Sequence, residues 1–451
     1  MKADLLIIGA GPGGYETALS AARQGKSVVL FNGDKLGGTC LNEGCIPTKC
    51  LCRNAELISL FKEGDKFGID DFTFTLDYNK VLERKNNVVA SLQQGVETML
   101  NQAKVTIINA KASFKNSKTL VADGQEYEGD NIIIASGSIS KSLPIPGHDL
   151  ECVMDSSAIL KLEYVPAKLT IIGGGVIGME FASIFHQLGS EVTVIEFMKQ
   201  ILPPFDSDIA KRLKQTLSKK GINIITGAAA KGIRQNEFYE IEVTYEVKGK
   251  EEKVISSDLL MAVGRAPKVE GLNLEAAGVN YSSKGIPVDD YMRTNIPGIY
   301  AIGDVNAKMM LAHVASAQGE RVLNAINGKT DSLRFDLIPS AVFTVPECGM
   351  VGKTEEQCKE DKIEIMIGTS FFRANGKAMA LGETDGFCKL IFNKDNDLLI
   401  GAHIMGVEAA DLAQQCADLM NRNTTLTEFK NIIFGHPTVS EVLIAAARAA
   451  K

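Results

Sequence analysis

Two glycine-rich turns, each set between an apolar strand and a helix, constrain the fold of this chain more than any other feature. The first runs Leu5-Leu6-Ile7-Ile8-Gly9-Ala10-Gly11-Pro12-Gly13-Gly14-Tyr15-Glu16-Thr17-Ala18. A β-rich apolar run meets G-x-G-x-x-G, passes into an Ala-rich helix ending near Gly25, and is followed by the strand Ser27-Val28-Val29-Leu30-Phe31. Gly9 permits the tight turn, Gly11 lets a pyrophosphate approach the backbone, and Gly14 lets helix and strand pack closely. The motif alone is weak, but a complete βαβ setting makes it specific.

The second turn is Leu169-Thr170-Ile171-Ile172-Gly173-Gly174-Gly175-Val176-Ile177-Gly178-Met179-Glu180. Gly173, Gly175 and Gly178 repeat the three glycine roles, a helix follows to Leu188-Gly189, and Glu191–Glu196 reads as the next strand. Glu196 lies 23 positions after Gly173, where a carboxylate takes both hydroxyls of an adenosine ribose and repels a 2′-phosphate. No Arg follows it at once, so NAD is expected over NADP.

Just downstream of the first turn stands Gly37-Gly38-Thr39-Cys40-Leu41-Asn42-Glu43-Gly44-Cys45-Ile46-Pro47-Thr48-Lys49. A cysteine pair beside a redox cofactor suggests a disulfide that opens and closes. Residues five apart on a regular helix rise about 7.5 Å, while bridged Cα atoms lie roughly 4.4–6.8 Å apart. If Cys40 and Cys45 bridge, the helix start is distorted there. Two dinucleotide sites near one redox disulfide describe an electron relay. Exchange needs a thiolate and hence a proton acceptor near neutral pH, for which His436, with Glu441 five residues on, is the best candidate.

The other cysteines carry no such pattern. Cys152, Cys348, Cys358, Cys388 and Cys416 are scattered and read as buried apolar residues. Cys50 and Cys52 crowd the pair, but C-x4-C-x4-C-x-C lacks the C-x2-C arms of a zinc site, so no metal is expected. The net charge of −7, with 55 acidic against 48 basic residues and no basic block, argues against nucleic-acid binding. Leu5–Ile8 is too short for a signal segment and no stretch has the length of a membrane span, so a cytoplasmic protein with no membrane partner is the expectation.

The joint pattern resembles the pyridine nucleotide–disulfide oxidoreductases, most closely their dihydrolipoamide dehydrogenase branch. Besides the segments above it includes Ala135-Ser136-Gly137-Ser138, Met261-Ala262-Val263-Gly264-Arg265-Ala266-Pro267, Ile299-Tyr300-Ala301-Ile302-Gly303-Asp304, Leu311-Ala312-His313, Phe343-Thr344-Val345-Pro346-Glu347 and His436-Pro437-Thr438-Val439-Ser440-Glu441. The resemblance implies an α/β chain with two Rossmann-like domains, the NAD domain inserted in the FAD domain, and a C-terminal α+β interface domain. The implied divisions are 1–145 for FAD, 146–262 for NAD, 263–332 for the second FAD or central part, and 333–451 for the interface. Pro144, Pro146, Gly147 and Pro166 mark one seam, and Lys329-Thr330-Asp331-Ser332 another.

The resemblance also assigns roles. It makes Cys40 the interchange thiol and Cys45 the thiol facing the flavin, with Lys49 beside it and Glu180 as the lysine's partner near the nicotinamide. Asp304 with Gly303 would anchor the flavin ribityl chain; Gly38, Thr39, Ala112, Ser136 and Gly137 would also contact FAD. Leu311, Ala312 and His313 resemble a flavin-side loop, and Gly264 is a further cofactor-binding position. The family's His–Glu pair reaches a partner subunit's disulfide, which implies an obligate homodimer serving the lipoyl domains of 2-oxoacid dehydrogenase or glycine-cleavage complexes. Two departures stand out. Aligning back from Gly37-Gly38 puts Phe31 where an acidic FAD ribose ligand is expected, so either Asp34 substitutes or backbone and packing alone hold the adenosine. Gln318 stands where a Glu is expected.

Overall fold

The computed structural model describes residues 1–71 and 73–451. Strand β1 (Lys2–Ile8) runs through the middle of a parallel sheet and is buried on both faces over its last four residues, which is why Leu5–Ile8 is unbroken apolar sequence. Helix α1 (Pro12–Arg23) opens with Pro12, whose missing N–H costs nothing there, and returns the chain to β2 (Val28–Phe31) beside β1. Helices α2 (Gly38–Glu43), α3 (Cys45–Lys62) and α4 (Tyr78–Gln102) follow, the last capped by the Asp77 side chain. Strand β3 (Thr106–Ile108) adds outside β2. Then β4 (Ser113–Asn116), β5 (Thr119–Ala122) and β6 (Gln125–Ile134) form an antiparallel ribbon whose long last strand turns in beside β1.

After β7 (Ser138–Ser140) the same plan recurs. Strands β8 (Val153–Met154) and β9 (Lys168–Ile172) flank the short α5 (Ser156–Ile159); α6 (Val176–Leu188), β10 (Glu191–Glu196), α7 (Ser207–Lys220) and β11 (Asn223–Thr226) follow. An antiparallel ribbon of β12 (Ala228–Gln235), β13 (Ile241–Val247) and β14 (Lys250–Ser256) leads to β15 (Asp258–Met261). The second sheet is parallel throughout, in the order β11-β10-β9-β15-β8. Both glycine turns therefore lie at the carboxyl end of a central strand where strand order reverses, the crevice in which such sheets bind nucleotides.

The chain then re-enters the first unit. Strand β16 (Arg265–Pro267) pairs with β7, β17 (Ile299–Ala301) joins β6 in parallel, and α8 (Ala312–Ile326) packs on α1. The remainder is an antiparallel sheet of β18 (Ser340–Val342), β19 (Cys348–Gly352), β20 (Ile365–Phe371), β21 (Phe387–Asn393) and β22 (Leu399–Met405), in the order β18-β19-β22-β21-β20. It carries the short helices α9 (Glu355–Glu360) and α10 (Gly376–Leu381). Helix α11 (Ala409–Asn421), α12 (Leu426–Lys430) and α13 (Glu441–Ala449) close its core, with Leu412, Cys416 and Leu443 packed on Leu390, Phe392 and Ile404. The fold is thus α/β, two Rossmann-like units followed by an α+β unit.

A charge cluster around a buried Lys389–Asp206 pair ties the last unit to the second. Lys389 on β21 is 3% exposed and its Nζ lies 3.1 Å from Asp206, 2.8 Å from Asp208 and 2.6 Å from Glu355. Among the described residues no helix is long and apolar enough to cross a membrane.

Candidate active site

The cysteine pair sits at a break between two helices. Helix α2 carries Cys40 and stops at Glu43; Gly44 adopts φ −145°, ψ −110°, and α3 starts afresh at Cys45. The break shortens the separation that one continuous helix would impose, and the two thiols are hydrogen-bonded to each other. The distortion expected for a bridged pair is thus built into the backbone. The bond from Cys40 lowers the Cys45 pKa to about 7; burial opposes this and the Lys49 ammonium assists it. The same pairing, with burial, raises that of Cys40. Glu43 turns aside, its carboxylate 3.5 Å from both Lys35 and Lys161.

Lys49, one turn into α3, reaches across to Glu180 on α6, with Nζ 2.9 and 3.0 Å from the two carboxylate oxygens. Glu180 is 4% exposed and also accepts from the Phe343 N–H at 3.0 Å. Burial works against the Lys49 charge, but Glu180 outweighs it and raises the lysine pKa. The Phe343 ring lies 4.5 Å from Nζ, placing a π-face on the ammonium's other side.

A continuous cavity of about 2580 Å³ runs past this centre and is lined by both glycine turns. Its size and walls fit two dinucleotides. At Gly14 and Gly178 a Cβ would lie 1.9 and 2.0 Å from the carbonyl oxygens of Gly9 and Gly173, so each helix packs directly on its turn. Gly11, Pro12 and Gly13 line the first end, and Gly173, Gly175, Val176 and Ile177 the second. Gly38, Thr39, Ala112, Ser136 and Gly137 line the wall between the first turn and the cysteines, with Leu311, Ala312 and His313 opposite. Burial lowers the His313 pKa. Gly264 also faces the cavity with open space at its Cβ position.

Asp304 is held ready at the wall. Its Oδ2 accepts from Ser138 Oγ, which is itself bonded by Arg265 Nε at 2.7 Å. The Gly303 N–H donates to Gln318 Oε1 at 2.7 Å and Asn306 donates to the same oxygen at 2.9 Å. The Gln318 amide oxygen thus meets both donors in the buried position where an acid was expected.

At the second turn, Glu196 is 7% exposed and lines the cavity, its carboxylate accepting from the N–H groups of Gly174 and Met198. These bonds fix the carboxylate at the end of β10 with lone pairs to spare. Phe197, next in the chain and 72% exposed, lines the cavity beside it.

At the first turn the strand register corrects the position read from sequence. Gly9 N donates to Phe31 O at 3.0 Å, and Gly173 N donates to Ile195 O at 2.9 Å. Phe31 is therefore the counterpart of Ile195, and Asn32 the counterpart of Glu196. Phe31 is 1% exposed and packs edge-on against Tyr127 at 5.1 Å. Asp34 is engaged by Lys268 at 2.7 Å.

His436 and Glu441 lie elsewhere. Their side chains are 3.1 Å apart, and neither residue lines the cavity. Glu441 accepts first from the Thr438 N–H and then from His436, which lowers its pKa. The imidazole is 78% exposed at the face of the last unit. Within one chain the structure brings Cys40, Cys45, Lys49 and Glu180 together but leaves His436 apart. Sequence reasoning missed Phe343, Ser138, Arg265 and Asn32. The first three lie inside motifs whose side-chain contacts only the fold reveals, while Asn32 was countable: it is 23 positions after Gly9, as Glu196 is after Gly173.

Comparison with known proteins agrees with this geometry. A family model for pyridine nucleotide-disulphide oxidoreductases matches residues 3–319, and one for the dimerisation domain of those enzymes matches residues 338–447. A dihydrolipoyl dehydrogenase of Bacillus subtilis is 37% identical over 445 residues, covering 97% of this chain and 96% of the relative. One of Corynebacterium glutamicum is 39% identical over 458 residues, covering 98% and 97%. Among solved structures, the HOCl-induced flavoprotein disulfide reductase RclA from Escherichia coli, as its Cu(II) complex, superposes with a TM-score of 0.89 at 30% identity over 99% of both chains.

Proposed function

We propose, from the premise that this chain belongs to the pyridine nucleotide-disulphide oxidoreductase family, that it oxidises dihydrolipoamide to lipoamide with NAD as acceptor. It is a flavoprotein disulfide oxidoreductase that uses FAD and NAD. The observation that carries the reading is the Cys45 thiol, drawn toward the thiolate by Cys40 and Lys49 and exposed on a cavity that both glycine turns share.

In the working cycle one thiol of dihydrolipoamide attacks Cys40 in the Cys40–Cys45 disulfide. The S–S bond breaks, a mixed disulfide forms on Cys40, and Cys45 leaves as the thiolate that Lys49 stabilises. The second substrate thiol then attacks the mixed disulfide, closing the lipoamide ring and freeing Cys40. The partner subunit's His436, oriented by Glu441, takes the proton of the first attacking thiol, and the proton of the second goes to the Cys40 sulfur as it leaves. Bound FAD and NAD would supply the two-electron chemistry that carries the pair of electrons on from the cysteines. Gly11, Gly13, Thr39 and Asp304 would hold the first dinucleotide, with Gly175, Val176 and Glu196 holding the second; Glu180 keeps Lys49 in place where the two meet.

The exposure of His436, its place outside the cavity lining and the match to a dimerisation domain support a homodimer with sites shared between subunits. The physiological substrates in this reading are lipoyl domains of 2-oxoacid dehydrogenase or glycine-cleavage complexes. A thiol pair that must reopen at every turnover suits the cytoplasm, where thiols are kept reduced. Steady-state assays test the reading: reduction of NAD by dihydrolipoamide is expected. Turnover of glutathione disulfide with NADPH, and none of dihydrolipoamide, would replace it with a low-molecular-weight disulfide reductase.

A further inference from the structure

We propose that Lys389, on the last unit, is a positioning residue for the second dinucleotide: through Asp206 it holds the wall Pro203-Pro204-Phe205 against the second glycine turn. The inference rests on the reading above that this turn takes NAD, and it adds a control exerted from outside the nucleotide-binding unit.

The wall is one loop, residues 197–206, between β10 and α7. Phe197, Met198, Pro203, Pro204 and Phe205 all line the cavity. The first end of the loop is tied down at the turn, where the Met198 N–H donates to Glu196 at 2.6 Å. Its middle is tied there too, for the Leu202 N–H donates to Gly174 O at 2.9 Å. At that bond Leu202 adopts φ 48°, a left-handed conformation that costs a leucine energy, and its side chain is fully buried. A strained residue persists only where its surroundings over-determine it. The far end of the loop supplies that constraint through Asp206.

Asp206 is fully buried, and its carboxylate gathers donors from three elements. Oδ1 caps α7, accepting from the Asp208 N–H at 3.1 Å. Oδ2 accepts from the Glu355 N–H, at the start of α9, at 3.2 Å. Lys389 Nζ, on β21, lies 3.1 Å from both oxygens. Two of these three donors belong to the last unit, and the lysine brings the full charge. A buried carboxylate that loses its cation moves toward water or takes up a proton. Either change slackens the residue next to Phe205. Asp208 and Glu355 reach the same Nζ, but their side chains are 58% and 47% exposed, so water solvates them without it. The line of contacts thus runs from β21 through Lys389 and Asp206 to Phe205 and Leu202, and ends at the glycine turn.

The test is calorimetric titration of the oxidised holoprotein with NAD. FAD content, thermal melting and flavin reduction by dihydrolipoamide without NAD are measured alongside. Lys389→Met should weaken NAD binding about two- to thirtyfold, the range for residues that touch no ligand but hold those that do. Amide hydrogen exchange should rise at Leu202 and Phe205. FAD content and flavin reduction should match wild type, because the first turn and the cysteine pair lie on other elements. Asp208→Asn and Glu355→Gln should bind NAD as wild type does. Asp206→Asn carries the test if Lys389→Met does not fold: it leaves Lys389 two carboxylates, but accepts with one oxygen where the carboxylate uses both, and should also weaken NAD. Wild-type NAD affinity in whichever of these two variants folds, or an equal loss in flavin reduction, would overturn the positioning role alone. Wild-type holoprotein that binds no NAD would overturn the reading of the second turn with it.

Discussion

Glu180 on α6 holds both carboxylate oxygens within 3.0 Å of Lys49 Nζ on α3, joining the helix behind the cysteine pair to the helix behind the second glycine turn. The contact does two things at once. It keeps an ammonium beside Cys45, and it neutralises a carboxylate that would otherwise disfavour the thiolate. Lys49→Met removes the cation and uncovers the anion, and both changes raise the Cys45 pKa above about 7. Alkylation of Cys45 in the reduced protein, followed by mass spectrometry across pH, should show its midpoint moved up by about one unit or more. An unmoved midpoint would mean that Cys40 alone sets the Cys45 pKa.

His436 sets a different test, because it does not line the cavity of its own chain. His436→Gln should cut dihydrolipoamide oxidation by about 10²–10⁴-fold, the usual worth of a positioned acid–base group. FAD content, NADH affinity and the alkylation midpoint of Cys45 should stay at wild type. Mixing this variant with Cys45→Ser protein and allowing subunits to exchange should restore part of the activity, since one shared site in the hybrid dimer is intact. No recovery in a mixture shown to have exchanged would sink the shared site.

The two glycine turns and the cysteine segment were legible in sequence because their determinants are local: an apolar run, glycines at fixed offsets, and a helix broken at one residue, Gly44. The expected acidic position was placed at Phe31 because it was counted back from Gly37-Gly38, across a loop that pairs with no strand. Counting forward from Gly9 follows the β1–β2 register, which the sheet does fix. The Lys389–Asp206 contact was out of reach, since it joins residues 183 apart on different units. The separation of His436 from the cysteines has the same origin: motif spacing says nothing about which chain a side chain serves.

That buried lysine carries a stability prediction. Lys389 is 3% exposed and Asp206 fully buried, and Lys389 is the cation for Asp208 and Glu355 as well. Lys389→Ala strands the Asp206 charge inside and should cost about 3–5 kcal/mol. Asp206→Asn with Lys389→Met, which removes both buried charges, should cost less than Lys389→Ala alone. Denaturant unfolding of the dimer at fixed protein concentration checks the order. A double variant as unstable as Lys389→Ala would point to lost volume, not stranded charge.

Glu196 is the residue on which nicotinamide cofactor choice should turn. Its carboxylate is anchored by the Gly174 and Met198 N–H groups, so the charge is fixed at the end of β10 before any ligand arrives. A ribose hydroxyl bonded to a fixed charge is worth about 1.5–3 kcal/mol. Glu196→Ala should therefore weaken NADH binding roughly tenfold to a hundredfold. FAD release should not change, because Glu196 stands at the second glycine turn, away from the first. The same variant no longer repels a 2′-phosphate, so the preference for NADH over NADPH should shrink more than the affinity for NADH itself falls. Fluorescence titration of both nucleotides against the holoprotein measures the two effects together. Equal losses for NADH and NADPH would show that Glu196 supports the strand end and takes no part in telling the two apart.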